Sequence, residues 1–186
     1  MAARGRAREN AAVRIRVLGG FEVEGIDERR LGSRKGRTLL KVLALSRGQT
    51  VSVDRIADAV WDGEPPERPG EPVGVLVSRL RAALGAERIV RRNDGYVLLA
   101  DWYDVDEVER LADSAANALH DGRVHGARAA TRAALELTRG PVLGDDSGEW
   151  IDADRAAASA LERRVHRLAV DAATAAGDYD GAVAAA

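Results

Sequence analysis

The sequence predicts an α+β domain followed by an all-α domain. Three observations carry this. Residues 1–100 mix strand-like alternation with amphipathic helical stretches, whereas residues after 103 show helical periodicity alone. Charge changes in the same region: 19 Lys and Arg against 13 Asp and Glu in residues 1–100, a balance of +6, then 9 against 17, a balance of −8, in residues 101–186. The whole chain of 186 residues carries −2 and is 46% hydrophobic, enough apolar material for two small cores. The expected limits are a disordered basic lead-in at 1–12, an α+β domain at 13–100 and a helical domain at 101–186.

The first domain starts with "VRIRVLG", in which Val13, Ile15 and Val17 alternate with Arg14 and Arg16, the pattern of a half-buried strand. Gly19-Gly20 breaks it and "FEVEG" alternates again, so a hairpin is expected, with a short third strand near Arg29–Leu31. "RKGRTLLKVLALSRG" sets Leu39, Leu40, Val42, Leu43 and Leu45 on a broad apolar face and ends at Gly48. "SVDRIADAVW" offers Ser52 as N-cap and turns Ile56, Ala57 and Val60 inward. The proline-rich loop "DGEPPERPGEP" leads into "EPVGVLVSRLRAALG", with Pro72 in the first turn of the next helix. There Val73, Leu76, Val77, Leu80 and Leu84 form a core stripe, and Glu71, Val75, Ser78 and Ala82 point the other way. "RIVRRNDGYVLL" reads as two strands joined at Asn-Asp-Gly.

In the second domain Asp104 is placed to cap a helix running through Val108, Leu111, Ala115 and Leu119 towards Gly122. Residues 124–140 give a second helix, "PVLGDDSG" a loop, and Trp150 to Ala176 a long third. A fourth begins in "GDYDGAVAAA", and this Gly-Asp-Tyr-x-x-Ala-Val pattern resembles tetratricopeptide helix pairs. Because the pattern stops within a helix at Ala186, the expectation is a truncated domain.

Catalytic chemistry is not legible. The chain has no cysteine, and His120, His125 and His166 show no metal-ligand spacing. The carboxylates of "DWYDVDE" and Asp145-Asp146 lack the glycine and glutamate of a calcium loop. "GSRKGR" lacks the spacing of a nucleotide phosphate loop, and no serine or threonine has a His/Asp set around it. Neither an enzyme nor a cofactor nor a metal is expected. No apolar run reaches the ~18–20 residues of a membrane span, and "MAARGRAREN" is not a signal peptide, so a cytoplasmic protein is expected.

The element order in 13–99 is strands, three helices, then a hairpin, the order of a winged helix-turn-helix. In such a module the third helix lays its outer face in the DNA major groove. Here that helix and the loop before it offer Arg68, Glu71, Val75, Ser78, Arg79 and Arg81. Arginine pairs with guanine, glutamate accepts from cytosine N4, and valine suits a thymine methyl. Arg91, Arg92 and Asn93 at the hairpin tip, and Arg34, Lys35 and Arg37 opening the first helix, suit phosphates or a narrow minor groove. Each of these twelve side chains alone is more often just solvated; their joint placement is what points to double-stranded DNA.

The stretch "GSRKGRTLLKVLALSRGQTVSVDRIADAVWDGEPPE", the run Val77-Ser78-Arg79-Leu80-Arg81-x-x-Leu84-Gly85, Gly95-Tyr96 and, later, "TRGPVL" with Trp150, Arg155, Leu161 and Arg164 together resemble the Streptomyces antibiotic regulatory protein (SARP) family. The resemblance implies an OmpR-type winged helix over 13–99 and a bacterial transcriptional activation domain from 104. It also implies a nucleoid-associated activator that binds promoter-proximal direct repeats, as a homodimer on DNA, and contacts RNA polymerase. A rival stands beside it: a protein–protein interaction module whose winged helix does not bind DNA. Glu71, which repels phosphate unless it reads a base, Gly74 and the overall acidity favour this rival.

Overall fold

The computed structural model describes residues 12–185, which divide into two units. One runs to Arg16 and resumes at Phe21–Tyr103; the other joins Val17–Gly20 to Asp104 and beyond. The basic lead-in lies outside the described residues except for Ala12, as does Ala186.

In the first unit, strand β1 (Arg14–Arg16) pairs antiparallel with β2 (Glu22–Val23) and parallel with β6 (Trp102–Tyr103). Alternation decides the faces: Ile15 is fully buried, while the Arg14 and Arg16 guanidiniums lie 4.2 and 5.2 Å from the centre of the Trp102 ring. The strand expected near Arg29–Leu31 is instead a 3-10 turn, Glu28–Leu31, because the Asp27 side chain accepts from the Arg29 N–H and curls the chain. The third strand of this sheet is supplied by β6.

Three helices follow as the periodicity predicts. α1 (Arg34–Leu45) is capped by Ser33, whose hydroxyl accepts from Gly36 N–H at 3.2 Å. Strand β3 (Val51–Ser52), which the sequence did not announce, leads into α2 (Val53–Val60), capped by Ser52 as expected. α3 (Gly70–Leu84) buries Val73, Leu76, Val77, Leu80 and Leu84, the stripe read from its spacing, and packs on α1, α2 and the 3-10 turn. Strands β4 (Ile89–Arg92) and β5 (Gly95–Leu98) form the wing, joined by Asn93-Asp94 with Asn93 at φ 51°. β5 lies between β3 and β4, antiparallel to both. At Gly95 the approach of β3 is so close that a Cβ would collide with the Val51 carbonyl, so no other residue fits.

The second unit holds α4 (Asp104–His120), α5 (Val124–Leu137), α6 (Asp152–Ala175) and α7 (Tyr179–Ala185). A 3-10 turn at Glu149–Ile151, not an α-helix from Trp150, precedes α6. α4, α5 and α6 pack mutually through small residues such as Ala118, Ala127 and Ala172, which lets the helix backbones approach closely. The strap Val17–Gly20 runs beside the loop before α6: Leu18 bridges Val142, Gly19 N–H donates to Pro141 O, and Leu143 N–H donates to Val17 O. Arg155 fixes that loop, donating from Nε to Val142 O at 3.0 Å and from Nη2 to Leu143 O and Asp146 O, both at 2.8 Å.

Asp104 does more than open a helix. Its carboxyl group is fully buried; Oδ2 accepts from the Val17 and Leu18 N–H groups at 2.9 Å each, and Oδ1 from Val105 N–H at 2.9 Å. Truncating it leaves the strap's buried donors unpaired. Asp104→Ala is expected to lower the stability of the helical unit by ~3 kcal/mol in urea unfolding. Glu162→Ala, on an exposed position of α6, is expected to stay within ~0.5 kcal/mol of the parent.

Candidate nucleic-acid interface

The candidate surface is built from α2, the loop at 61–69, α3 and the β4–β5 wing, all in the first unit. Because five side chains of α3 are committed to the core, 3.6-residue periodicity turns Glu71, Val75, Ser78 and Ala82 outward, and all four are exposed. Val75 is 47% exposed, one of three large apolar side chains so placed among the described residues. Arg79 borders this stripe and Arg68 ends the loop before it; both are exposed, with no side-chain partner among the described residues. α3 begins without a side-chain cap, so Glu71 in its first turn also complements the helix dipole.

Arg81 is placed differently from its neighbours. Its Nε donates to the Ile89 carbonyl at 2.7 Å, tying α3 to the first wing strand. In the wing, Arg91, Arg92 and Asn93 are exposed, and the Arg91 guanidinium lies 5.9 Å from the centre of the Tyr96 ring across the hairpin. Arg92 has no side-chain partner among the described residues. The start of α1 is mixed as well. Arg34 is exposed without a side-chain partner among the described residues, and the Lys35 ammonium sits 4.6 Å from the centre of the Trp61 ring. Arg37 donates from Nη1 to Gly32 O at 2.8 Å and pairs with Glu28 at 3.1 Å. Arg37 and Arg81 therefore commit part of their donor set to holding the frame.

One basic residue escaped the sequence reading. Arg55 is exposed on the first turn of α2, and its side chain has no partner among the described residues. The signal was present, since the inward positions Ile56, Ala57 and Val60 leave Arg55 facing out.

Comparison with known proteins fits this architecture. Residues 28–98 match the family model described as transcriptional regulatory protein, C terminal, and residues 103–186 match the bacterial transcriptional activator domain. The regulator MoaR1 of Mycobacterium tuberculosis is 32% identical over 180 residues, covering 91% of this chain and 58% of MoaR1. AfsR of Streptomyces coelicolor is 33% identical over 151 residues, covering 79% of this chain and 15% of AfsR.

The chain belongs to the SARP-type regulator family.

It spans little more than half the length of MoaR1 and a small part of AfsR. The fold agrees too: the structure of Mycobacterium tuberculosis EmbR, solved with a low-affinity phosphopeptide, superposes with a TM-score of 0.82 at 24% identity, covering 94% of this chain and 49% of EmbR. The expected winged helix-turn-helix followed by a tetratricopeptide-like helical domain is thus the fold of this SARP-type chain. Among the described residues, no helix is long and apolar enough to cross a membrane.

Gly74 sits within α3, where glycine costs the helix ~1 kcal/mol relative to alanine. A Cβ there would meet only the Tyr96 hydroxyl, at an ordinary 3.9 Å. Gly74→Ala is therefore expected to raise the stability of the winged-helix unit by ~0.5–1 kcal/mol in denaturant titration.

Proposed function

We propose that this chain regulates transcription by binding specific double-stranded DNA, with α3 in the major groove and the β4–β5 wing on the flanking backbone. The observation that carries the reading is the outer face of α3. Glu71, Val75 and Ser78 are exposed there, in a helix whose other side is fully committed to the core, with Arg68 and Arg79, which have no side-chain partner among the described residues, at its margins. These are groups that read base edges and phosphates respectively. Arg34, Arg55 and Arg92 add cationic groups for the backbone, while Arg81 acts by holding α3 against the wing. Lys35, Arg37, Arg91 and Asn93 complete the proposed contact set.

The family supports the rest of the proposal. The chain acts as an activator on promoter-proximal direct repeats, in the cytoplasm on nucleoid DNA. Two copies bind together, and the acidic helical unit faces RNA polymerase. No catalytic step belongs to this function. The rival reading, a protein interaction module without DNA binding, is favoured by one feature, the carboxylate of Glu71 on the outer face.

Fluorescence anisotropy with duplexes from a promoter-derived library separates the two. Removing one phosphate-binding cation should reduce the slope of log K against log salt by ~0.9. Arg79→Ala combined with Arg92→Ala is expected to lower that slope by about 1–2, with Arg167→Ala in the helical unit as an unchanged control. Retention of full affinity and slope in the double variant removes the assigned surface. Absence of duplex binding by the parent chain favours the rival.

A further inference from the structure

We infer that Val75 reads the C5-methyl group of one thymine in the target site, and so sets the base preference at that position. The inference rests on the proposed DNA-binding function and adds to it a base and an atom. Val75 is a β-branched side chain, 47% exposed, in the middle of a helix. Such a residue favours neither helix formation nor contact with water.

Its helical neighbours identify the occupant. Glu71 lies four residues before it, Pro72 three before, Ser78 three after and Arg79 four after, so the isopropyl group stands among a proline ring, a carboxylate, a hydroxyl and a guanidinium. A protein partner's interface has an apolar core that is contiguous, whereas Val75 is the one large apolar side chain exposed on α3. The major groove offers the matching arrangement: each thymine presents a single methyl group beside hydrogen-bonding base edges. Uracil carries the same pairing edge without the methyl, so it isolates this contact.

The side chains on this face are short. Apart from Glu71 and the marginal arginines, it carries Val75, Ser78 and Ala82. A helix so surfaced can approach base edges closely enough for van der Waals contact. Glu71 and Val75 are separated by ~6 Å along the helix axis, about two base-pair steps. A carboxylate accepting from cytosine N4 therefore fits near the thymine that Val75 touches.

The test uses the full chain. Its preferred duplex is first enriched from a random library, and each thymine in that duplex is then replaced singly by deoxyuridine. One replacement is expected to weaken binding by the parent chain about four-fold, the effect of one buried methyl group. Val75→Ala is expected to bind more weakly than the parent and to show no loss at that same position. Val75→Thr, which retains a γ-methyl group, should keep part of the discrimination. If the parent binds its enriched duplex but no deoxyuridine matters, or if Val75→Ala keeps the same loss, the inference fails while DNA binding stands. If no duplex is enriched, the DNA-binding function fails and the inference falls with it.

Discussion

The face that α3 must bury is the constraint on which the winged-helix unit depends. Val73, Leu76, Val77, Leu80 and Leu84 are buried from one side of a single helix. At ~1.5–3 kcal/mol per buried side chain, their sum is of order 10 kcal/mol, comparable with the whole stability of a small domain. Rotating α3 by one residue, about 100°, would draw several of them into water. No surface interaction of Glu71 or Arg79 approaches that magnitude. The outward set is consequently determined by the inward one, and the groups available for recognition are those left over from packing.

The wing is positioned by fewer, more local restraints. Arg81 holds Ile89, and Gly95 admits β3 against β5 where any side chain would strike the Val51 carbonyl. Tyr96 is buried beside this close approach, with its hydroxyl facing the open backbone of Gly74. The stiffness of the hairpin relative to α3 thus comes from one charge-assisted hydrogen bond, one obligatory glycine and one aromatic ring.

Legibility followed the range of the interactions. The three helices, the Ser52 cap, the wing hairpin and the α3 stripe all rest on neighbours close in sequence, and the residues announced them. β3 and β6 are two residues each, too short for any periodicity, and exist because of partners distant in sequence: Ser52 opposes Gly95, and Tyr103 opposes Ile15. Asp104 looked like a helix cap; its main partners are Val17 and Leu18, 87 and 86 residues distant. For the same reason Val17–Gly20 belongs with the helical unit although it lies between β1 and β2 in sequence. Arg37 and Arg81 each also donate to a backbone carbonyl, of which the sequence carried no sign. An arginine shows its charge in a sequence, not its commitments.

Charge sets how such a surface must work in the proposed function. The chain carries −2 overall, with a pI near 6.0, and its excess acid lies after residue 100. Non-specific DNA affinity comes chiefly from counterion release by cationic side chains, and the small set of arginines proposed to meet the backbone releases few counterions. The acidic half adds repulsion from the phosphate backbone at low salt. Discrimination must then rest on base edges and methyl groups, where a correct pair is worth ~1–3 kcal/mol. A second copy on an adjacent repeat would multiply that preference through effective concentration without raising the background affinity of either copy. Weak charge and short recognition side chains are therefore consistent with each other: both replace general attraction with dependence on the particular bases beneath α3.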